Sequence, residues 1–250
     1  MKTIKQIISS SILLLISTGV WAGPVDLSTW LIDGGGSWAI LSDPNPNDSA
    51  YQSINGPPTM LFNNVNSQGL ELSGTIEVKT TSDDDFIGFV LGYDDNDNVG
   101  ANATTDYILI DWKQGTQGGW GAGLAASRVT GGINTGCCDT GSNAWDHNGN
   151  VSFIERAATL GTTGWADNTA YDFDITFTST NIKVFIDSVL QFDLNGVFED
   201  GSFGFYNYSQ PGVRYAGITE DIASPVSEPG TLGLLSLMLS GLLLTRRKKA

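Results

Sequence analysis

Residues 170–194 carry two period-two alternations joined by a two-residue turn, and a chain built from such units folds as antiparallel sheet. In "YDFDITFTS", Tyr171, Phe173, Ile175 and Phe177 fall on one side and Asp172, Asp174 and Thr176 on the other, the pattern of a strand with one wet face. "NIKVFIDSVLQFDL" reads as a hairpin: Ile182, Val184 and Ile186 alternate, Asp187-Ser188 turns, and Leu190 and Phe192 resume. Between Gly23 and Pro225 no long segment holds a helical period. Short apolar or alternating runs recur instead between Gly, Asn, Asp and Pro clusters. Strands are predicted at Ser37–Leu41, Thr59–Phe62, Leu70–Thr80, Phe86–Tyr93, Tyr107–Trp112, Ala122–Val129, Val151–Arg156, Ala170–Ser179, Asn181–Ile186, Val189–Leu194 and Gly201–Tyr208. That spacing predicts an all-β sandwich of two sheets.

One strand differs from the rest. In "DDDFIGFVLGYDD", Ile87, Phe89, Leu91 and Tyr93 point one way and Phe86, Gly88, Val90 and Gly92 the other. Both faces are apolar, so this strand is expected at the centre of a sheet and covered on both sides. Glycine weakens a strand unless another group must approach closely. Gly88 and Gly92 therefore predict a large side chain from the facing sheet, such as a tryptophan.

Both termini carry other patterns. Lys2 and Lys5, an apolar run within Ile7–Val20 and small residues in "VWA" before Gly23 read as a signal peptide over residues 1–22. At the other end, Ser227-Glu228-Pro229, an apolar segment at about 231–245 and the basic run Arg246, Arg247, Lys248 and Lys249 form a three-part tail. This tail resembles a PEP-CTERM sorting signal, with Ser227 in place of the first proline of the Pro-Glu-Pro box. The resemblance implies an exosortase-type processing enzyme in a Gram-negative bacterium, a transient hold in the inner membrane and delivery to the cell surface or extracellular matrix. A simple C-terminal membrane anchor is the alternative. The expected layout is a folded domain over residues 23–220, a tether over 221–226 and the sorting signal over 227–250.

Setting the terminal segments aside takes the chain from 12 basic and 27 acidic residues to 6 and 26, a net charge of −20. Such a body repels nucleic acid and anionic membranes. Cys137 and Cys138 are the only cysteines and are adjacent, so they cannot staple distant strands; with the lone His147 they fall short of a four-ligand zinc site.

Four segments in order carry a second resemblance: "DDDFIGFVLGY", "YILIDWKQ", "TTGWADNTAYDFDI" and "GSFGFYNYSQPGVRYAGI". They are similar to successive segments of the thrombospondin C-terminal domain and span Ser82 to Ile218. The resemblance implies an L-type-lectin-like (concanavalin-like) jelly-roll sandwich of two antiparallel sheets, calcium binding and extracellular-matrix interactions. The long Asp-rich calcium repeats that precede this domain in thrombospondins are missing from this sequence, so calcium must be argued from the domain's own aspartates.

Calcium takes six to eight oxygen ligands. Asp83, Asp84 and Asp85 precede the buried strand; Asp94, Asp95 and Asp97 follow it. At about 3.3 Å per residue the strand holds the two groups roughly 25 Å apart, too far for one shared ion. The first group matches the family's aspartate run and is the stronger candidate metal site; the second reads as an acidic turn. Asp95, Asp97, Gly100 and Asp106 fall at EF-hand spacings, but Val99 occupies a ligand position and neither flank is helical. Asp146 and Asn148 in "WDHNGN" could ligate a cation, with an Asx-type turn as the default.

No enzyme pattern is present. Glu71, Glu77, Glu155, Glu199 and Glu220 lack the spacing of a glycosidase carboxylate pair, and His147 lies near no Gly-x-Ser-x-Gly nucleophile motif. Among the tryptophans near loops or strand ends, Trp112, Trp145 and Trp165 read chiefly as core, while Trp120, set among glycines, is the candidate platform for a sugar ring. The reading is an exported, non-enzymatic binding or matrix protein whose partners are extracellular polysaccharide or matrix components, with calcium as a candidate cofactor. The alternatives are a structural biofilm or envelope component without a discrete ligand and, behind it, a carbohydrate-active enzyme.

Overall fold

The computed structural model describes residues 22–95, 104–133 and 143–223. Among the described residues, fifteen strands form two antiparallel sheets stacked as a jelly-roll sandwich. One sheet orders β13 (Val189–Asn195), β12 (Asn181–Ile186), β11 (Ala170–Phe177), β6 (Leu70–Val78), β15 (Val213–Ile222), β4 (Ser49–Gln52) and β3 (Trp38–Leu41), with β1 (Gly23–Pro24) also on β15. We call it the eight-stranded sheet. The seven-stranded sheet orders β10 (Val151–Arg156), β9 (Gly123–Thr130), β8 (Asp106–Lys113), β7 (Phe86–Tyr93), β14 (Ser202–Tyr208), β5 (Thr59–Phe62) and β2 (Leu31–Gly34). The predicted hairpin joins β12 to β13, and both turn residues, Asp187 (φ 50°) and Ser188 (φ 63°), are left-handed, the backbone of a tight type I′ connection.

The main core lies between the sheets. Leu72, Phe173, Ile175, Phe177 and Val184 meet Ile87, Phe89, Leu91, Ile110 and Phe205 across the interface. A second buried cluster covers the outer face of the seven-stranded sheet. There Phe86, Val90, Leu109, Tyr206 and Tyr208 are roofed by Trp145 on the short helix α1 (Asn143–Asp146). The strand β7 is thus sealed on both faces, as its two apolar faces predicted, and all eight of its residues are buried.

Three details depart from expectation. Tyr93 does not join Ile87, Phe89 and Leu91: the register shifts at the end of β7 around left-handed Gly92 (φ 76°), which turns Tyr93 into the second cluster beside Phe62 and Tyr107. The group that approaches Gly88 is a tyrosine, not a tryptophan. Tyr215 reaches across from β15, donating from its hydroxyl to the Gly88 carbonyl (3.1 Å) or the Tyr206 carbonyl (2.8 Å) and accepting from the Gly88 N–H (3.2 Å). The tightest fit at Gly88 comes from backbone: a Cβ there would lie 2.0 Å from the Ile110 carbonyl oxygen. Finally, β15 runs to Ile222, past the expected boundary at 220, because its last four residues pair with Leu70–Ser73 of β6.

Candidate functional site

The aspartate run folds over a buried cation. Lys113, the last residue of β8, stands opposite Phe86, the first of β7, so its side chain rises on the outer face beside the loop that delivers the aspartates. Its ammonium bonds the Asp85 carboxylate, donates to the Asp84 carbonyl at 3.2 Å and lies 3.6 Å from an Asp84 carboxylate oxygen. The rings of Phe86 and Trp145 cover it at 5.0 and 4.6 Å. The side chains of Lys113 and Asp85 are 0% and 4% exposed, whereas that of Asp84 is 42% exposed. Burial pushes the Asp85 carboxyl up, and the Lys113 ammonium opposes that shift.

Neighbours lock the run in place. The Asp85 N–H donates to Gln210 Oε1 (3.0 Å), Gln210 Nε2 donates to the Ser82 carbonyl (3.3 Å), and Trp165 Nε1 donates to the Asp85 carbonyl (3.0 Å). The Asp84 carbonyl accepts the N–H groups of Gln114 (3.0 Å) and Gly115 (3.2 Å). Gly115 leaves room for the Asp84 carboxylate in this position, since a Cβ would meet one of its oxygens at 1.9 Å and push that side chain aside. Asp83 sits in left-handed backbone (φ 78°) and its carboxylate is bonded by Asn55. One ligand atom from each of Asp83, Asp84 and Asp85 falls within 4.8 Å of the others.

The second acidic group is placed at the opposite end of β7, as strand length demanded. Asp94 and Asp95 are exposed there, and partial desolvation, with the Asp200 charge nearby, raises the Asp94 carboxyl. Asp97 lies outside the described residues, as do Cys137, Cys138, the signal peptide's residues 1–21 and the whole sorting tail including Ser227, Glu228, Pro229, Arg246 and Arg247. Trp112, Trp145 and Trp165 are buried. Trp120 is half-buried at a turn that crosses left-handed Gly118 and Gly119. The Arg156 guanidinium covers its ring at 4.2 Å, and His147 and Phe153 meet it edge-on.

Several buried groups are brought together in a way that sequence spacing does not show. His147 is buried and its Nε2 lies 2.6 Å from an Asp111 carboxylate oxygen, while His147 Nδ1, the other Asp111 oxygen and the Tyr206 hydroxyl have no hydrogen-bond partner among the described residues. Burial and the nearby Asp111 raise the Tyr206 hydroxyl well above its ordinary range. The signal for Asp111 and Lys113 was present: two charges at alternate positions of the apolar run "ILIDWK" fall on a face that a roof covers.

On the opposite side of the molecule, the outer face of the eight-stranded sheet is open. A groove of about 1040 Å³ runs across β11, β6 and β15. Cross-strand register sets its floor: Phe185, Asp174, Ser73 and Thr219 form one row, and Thr176, Glu71 and Asp221 the next. Desolvation raises both Glu71 and Asp174, and for Glu71 the diagonal Asp174 and the facing Asp221 add to the shift.

Residues 36–222 match the family model described as the thrombospondin C-terminal region. Cartilage oligomeric matrix protein of Rattus norvegicus is 24% identical over 199 residues, which take in 73% of this chain and 25% of that protein. Thrombospondin-3b of Danio rerio is 30% identical over 84 residues, 34% of this chain and 8% of its own length. The chain spans about a quarter of the length of the first of these relatives. Among solved structures, the carbohydrate-binding module CBM66 from Bacillus subtilis aligns with a TM-score of 0.55 at 13% identity, covering 77% of this chain and 95% of that one. The VIP36 exoplasmic/lumenal domain in its Ca2+/Man-bound form aligns at 0.52 and 11% identity, covering 80% and 85%. At such identities the likeness is one of fold.

Proposed function

The chain belongs to the family of the thrombospondin C-terminal region, and on that premise we propose that it is an exported, non-enzymatic binding protein of the cell surface or extracellular matrix, engaging glycan or matrix components with a calcium ion held at Asp83 and Asp84. The observation that carries the calcium reading is the division of labour among the three aspartates. Lys113 neutralises Asp85 inside the fold, and among the described residues the one cation paired with the outer carboxylates is that same Lys113 ammonium, 3.6 Å from Asp84. The donor set is all oxygen, the chemistry calcium takes, and the loop is held by backbone bonds before any ion arrives. Calcium would supply the positive charge that lets the two outer carboxylates stay together. Asp85, Gln210 and Gly115 do not face that task; they fix where the two carboxylates stand.

The matrix reading draws on the family match, on the printed name of cartilage oligomeric matrix protein and on the carbohydrate-binding module and lectin-type domain among the structural neighbours. Export and surface delivery draw on the signal peptide and the sorting tail, with an exosortase-type enzyme as processing partner. The test is a melt of the purified protein with calcium and then with chelator, followed by a glycan array under both conditions. A ligand that binds only the native state must raise the melting midpoint. An unchanged midpoint sinks the calcium claim, and an array without hits sinks the glycan claim.

A further inference from the structure

The body of this protein has six basic residues, and four of them are spent in ion pairs: Lys79 on Glu77, Lys113 on Asp85, Arg128 on Asp106 and Arg214 on Asp43. A fifth, Arg156, lies over Trp120 on the other sheet. None forms an ion pair with Glu71 or Asp174. These two carboxyls stand on neighbouring strands as same-face diagonal neighbours, two residues off register, close enough to share a proton, with Asp221 directly across from Glu71 on the third strand. Lys183 lies beyond Thr176 in the same row and makes no ion pair with either. Carboxyls placed together without a cation weaken a fold, so such a conflict marks a surface kept for a ligand that supplies the missing charge.

The rest of the groove says what kind of ligand. Its floor carries the hydroxyls of Ser73, Thr75, Thr176 and Thr219, and one wall carries the half-exposed ring of Phe185. Both ends are held before any ligand binds. Asp48 accepts the N–H groups of Asp43 (3.0 Å) and Asn45 (2.9 Å) and so fixes the loop at one rim. Asp187 accepts the Asp172 N–H (2.9 Å) and fixes the hairpin turn at the other. Hydroxyl donors and acceptors beside an aromatic face suit a sugar ring. Carboxylates without a cation exclude uronate, sulfate and phosphate groups and attract an ammonium.

We propose that this groove binds a glycan bearing free amino groups, with Glu71 and Asp174 receiving the ammonium, the serine and threonine hydroxyls bonding the ring hydroxyls and Phe185 packing on the ring face. The inference rests on reading the chain as a glycan-binding protein, and it places the ligand on the face opposite the aspartate run and Trp120.

Three six-residue β-1,4-linked oligomers separate the outcomes, because they differ only at C2: glucosamine, N-acetylglucosamine and glucose. Titration calorimetry of the purified protein should show the glucosamine oligomer binding at least about tenfold tighter than the other two, the scale of one partly desolvated ion pair. The E71Q/D174N variant should lose that preference while E155Q, which alters an exposed carboxylate on the other sheet, keeps it, with the folded state of each verified by circular dichroism. Equal affinity for all three oligomers would overturn the amine assignment while leaving glycan binding intact. An amine preference that survives in E71Q/D174N would overturn the groove. Displacement of the glucosamine oligomer by millimolar calcium in the D84N variant would make the carboxyl pair a metal site and also overturn it. No binding by any oligomer, beside a positive glycan array, would overturn the groove proposal and spare the broader function.

Discussion

Lys113 and Asp85 form an ion pair from which water is excluded, with aromatic rings of Phe86 and Trp145 over the ammonium. A charge taken out of water is tolerated only while its partner stays. Removing one partner, as in Lys113→Met, should therefore cost about 3–5 kcal/mol of stability, read as a lower urea midpoint. The double variant K113M/D85N should recover a large part of that loss, because it leaves no orphaned charge. A Lys113→Met protein as stable as the parent would show that the pair is not ionised.

Gly88 sits under the Ile110 carbonyl with no room for a methyl group, since a Cβ would lie 2.0 Å from that oxygen. Gly88→Ala should cost about 3 kcal/mol, the upper range for overpacking a tight core. Tyr215→Phe keeps the packing but removes the hydroxyl that bonds backbone groups of Gly88 and Tyr206, and should cost about 1 kcal/mol. Urea unfolding of both variants checks the order: the alanine must be at least as harmful as the phenylalanine.

Calcium should act through Asp83 and Asp84 alone. At a calcium concentration about 100 times the dissociation constant the native state gains about 2.7 kcal/mol, which appears as a higher melting midpoint. Asp84→Asn should abolish that rise. Asp95→Asn should leave it unchanged, because Asp94 and Asp95 stand at the far end of β7. A rise lost with Asp95→Asn but kept with Asp84→Asn would move the site to the second acidic turn.

How far the sequence carried depended on whether alternation survived intact. β5, β7, β10 and β12 have the bounds read from their patterns, since each is a clean run between turn residues. β4 was missed because "SAYQ" sits in a polar, proline-rich stretch and is buried only by its place between β15 and β3. β15 was missed as a strand running to Ile222 because a bulge between Ala216 and Thr219 breaks its period, with Gly217 (φ 61°) at the break. The aspartate run was visible; its dependence on Lys113 was not, because that contact follows from the β7–β8 register. Trp120 looked exposed among glycines, yet its ring is covered by Arg156, a residue 36 positions away. The Glu71–Asp174 pair was invisible for the same reason: each residue is an ordinary wet-face position of its own strand, and only pairing of β6 with β11 sets them together.

That pair has a pH signature with a definite sign. Both carboxyls are raised in the folded protein, chiefly by desolvation and, for Glu71, by Asp174 and Asp221 across from it. The other charged groups on this face are Asp172, Lys183 with Asp193 across from it, the Arg214–Asp43 pair, and Glu77, which faces Arg214 and pairs with Lys79. A raised carboxyl means that the native state holds a proton the unfolded chain has released, so stability is present at acid pH and is lost as pH rises through the folded value. Glu71→Gln removes that loss. The variant should melt higher than the parent at pH 7, and the gap should close as pH falls below about 4.5, where the unfolded glutamate also becomes protonated. Melting curves at pH 4 and pH 7 check it. A variant that melts lower than the parent at pH 7 would mean that the pair stabilises the fold, and the reason for assigning it to a ligand would be gone. A variant that is more stable yet loses the glucosamine preference would show stability given up for binding.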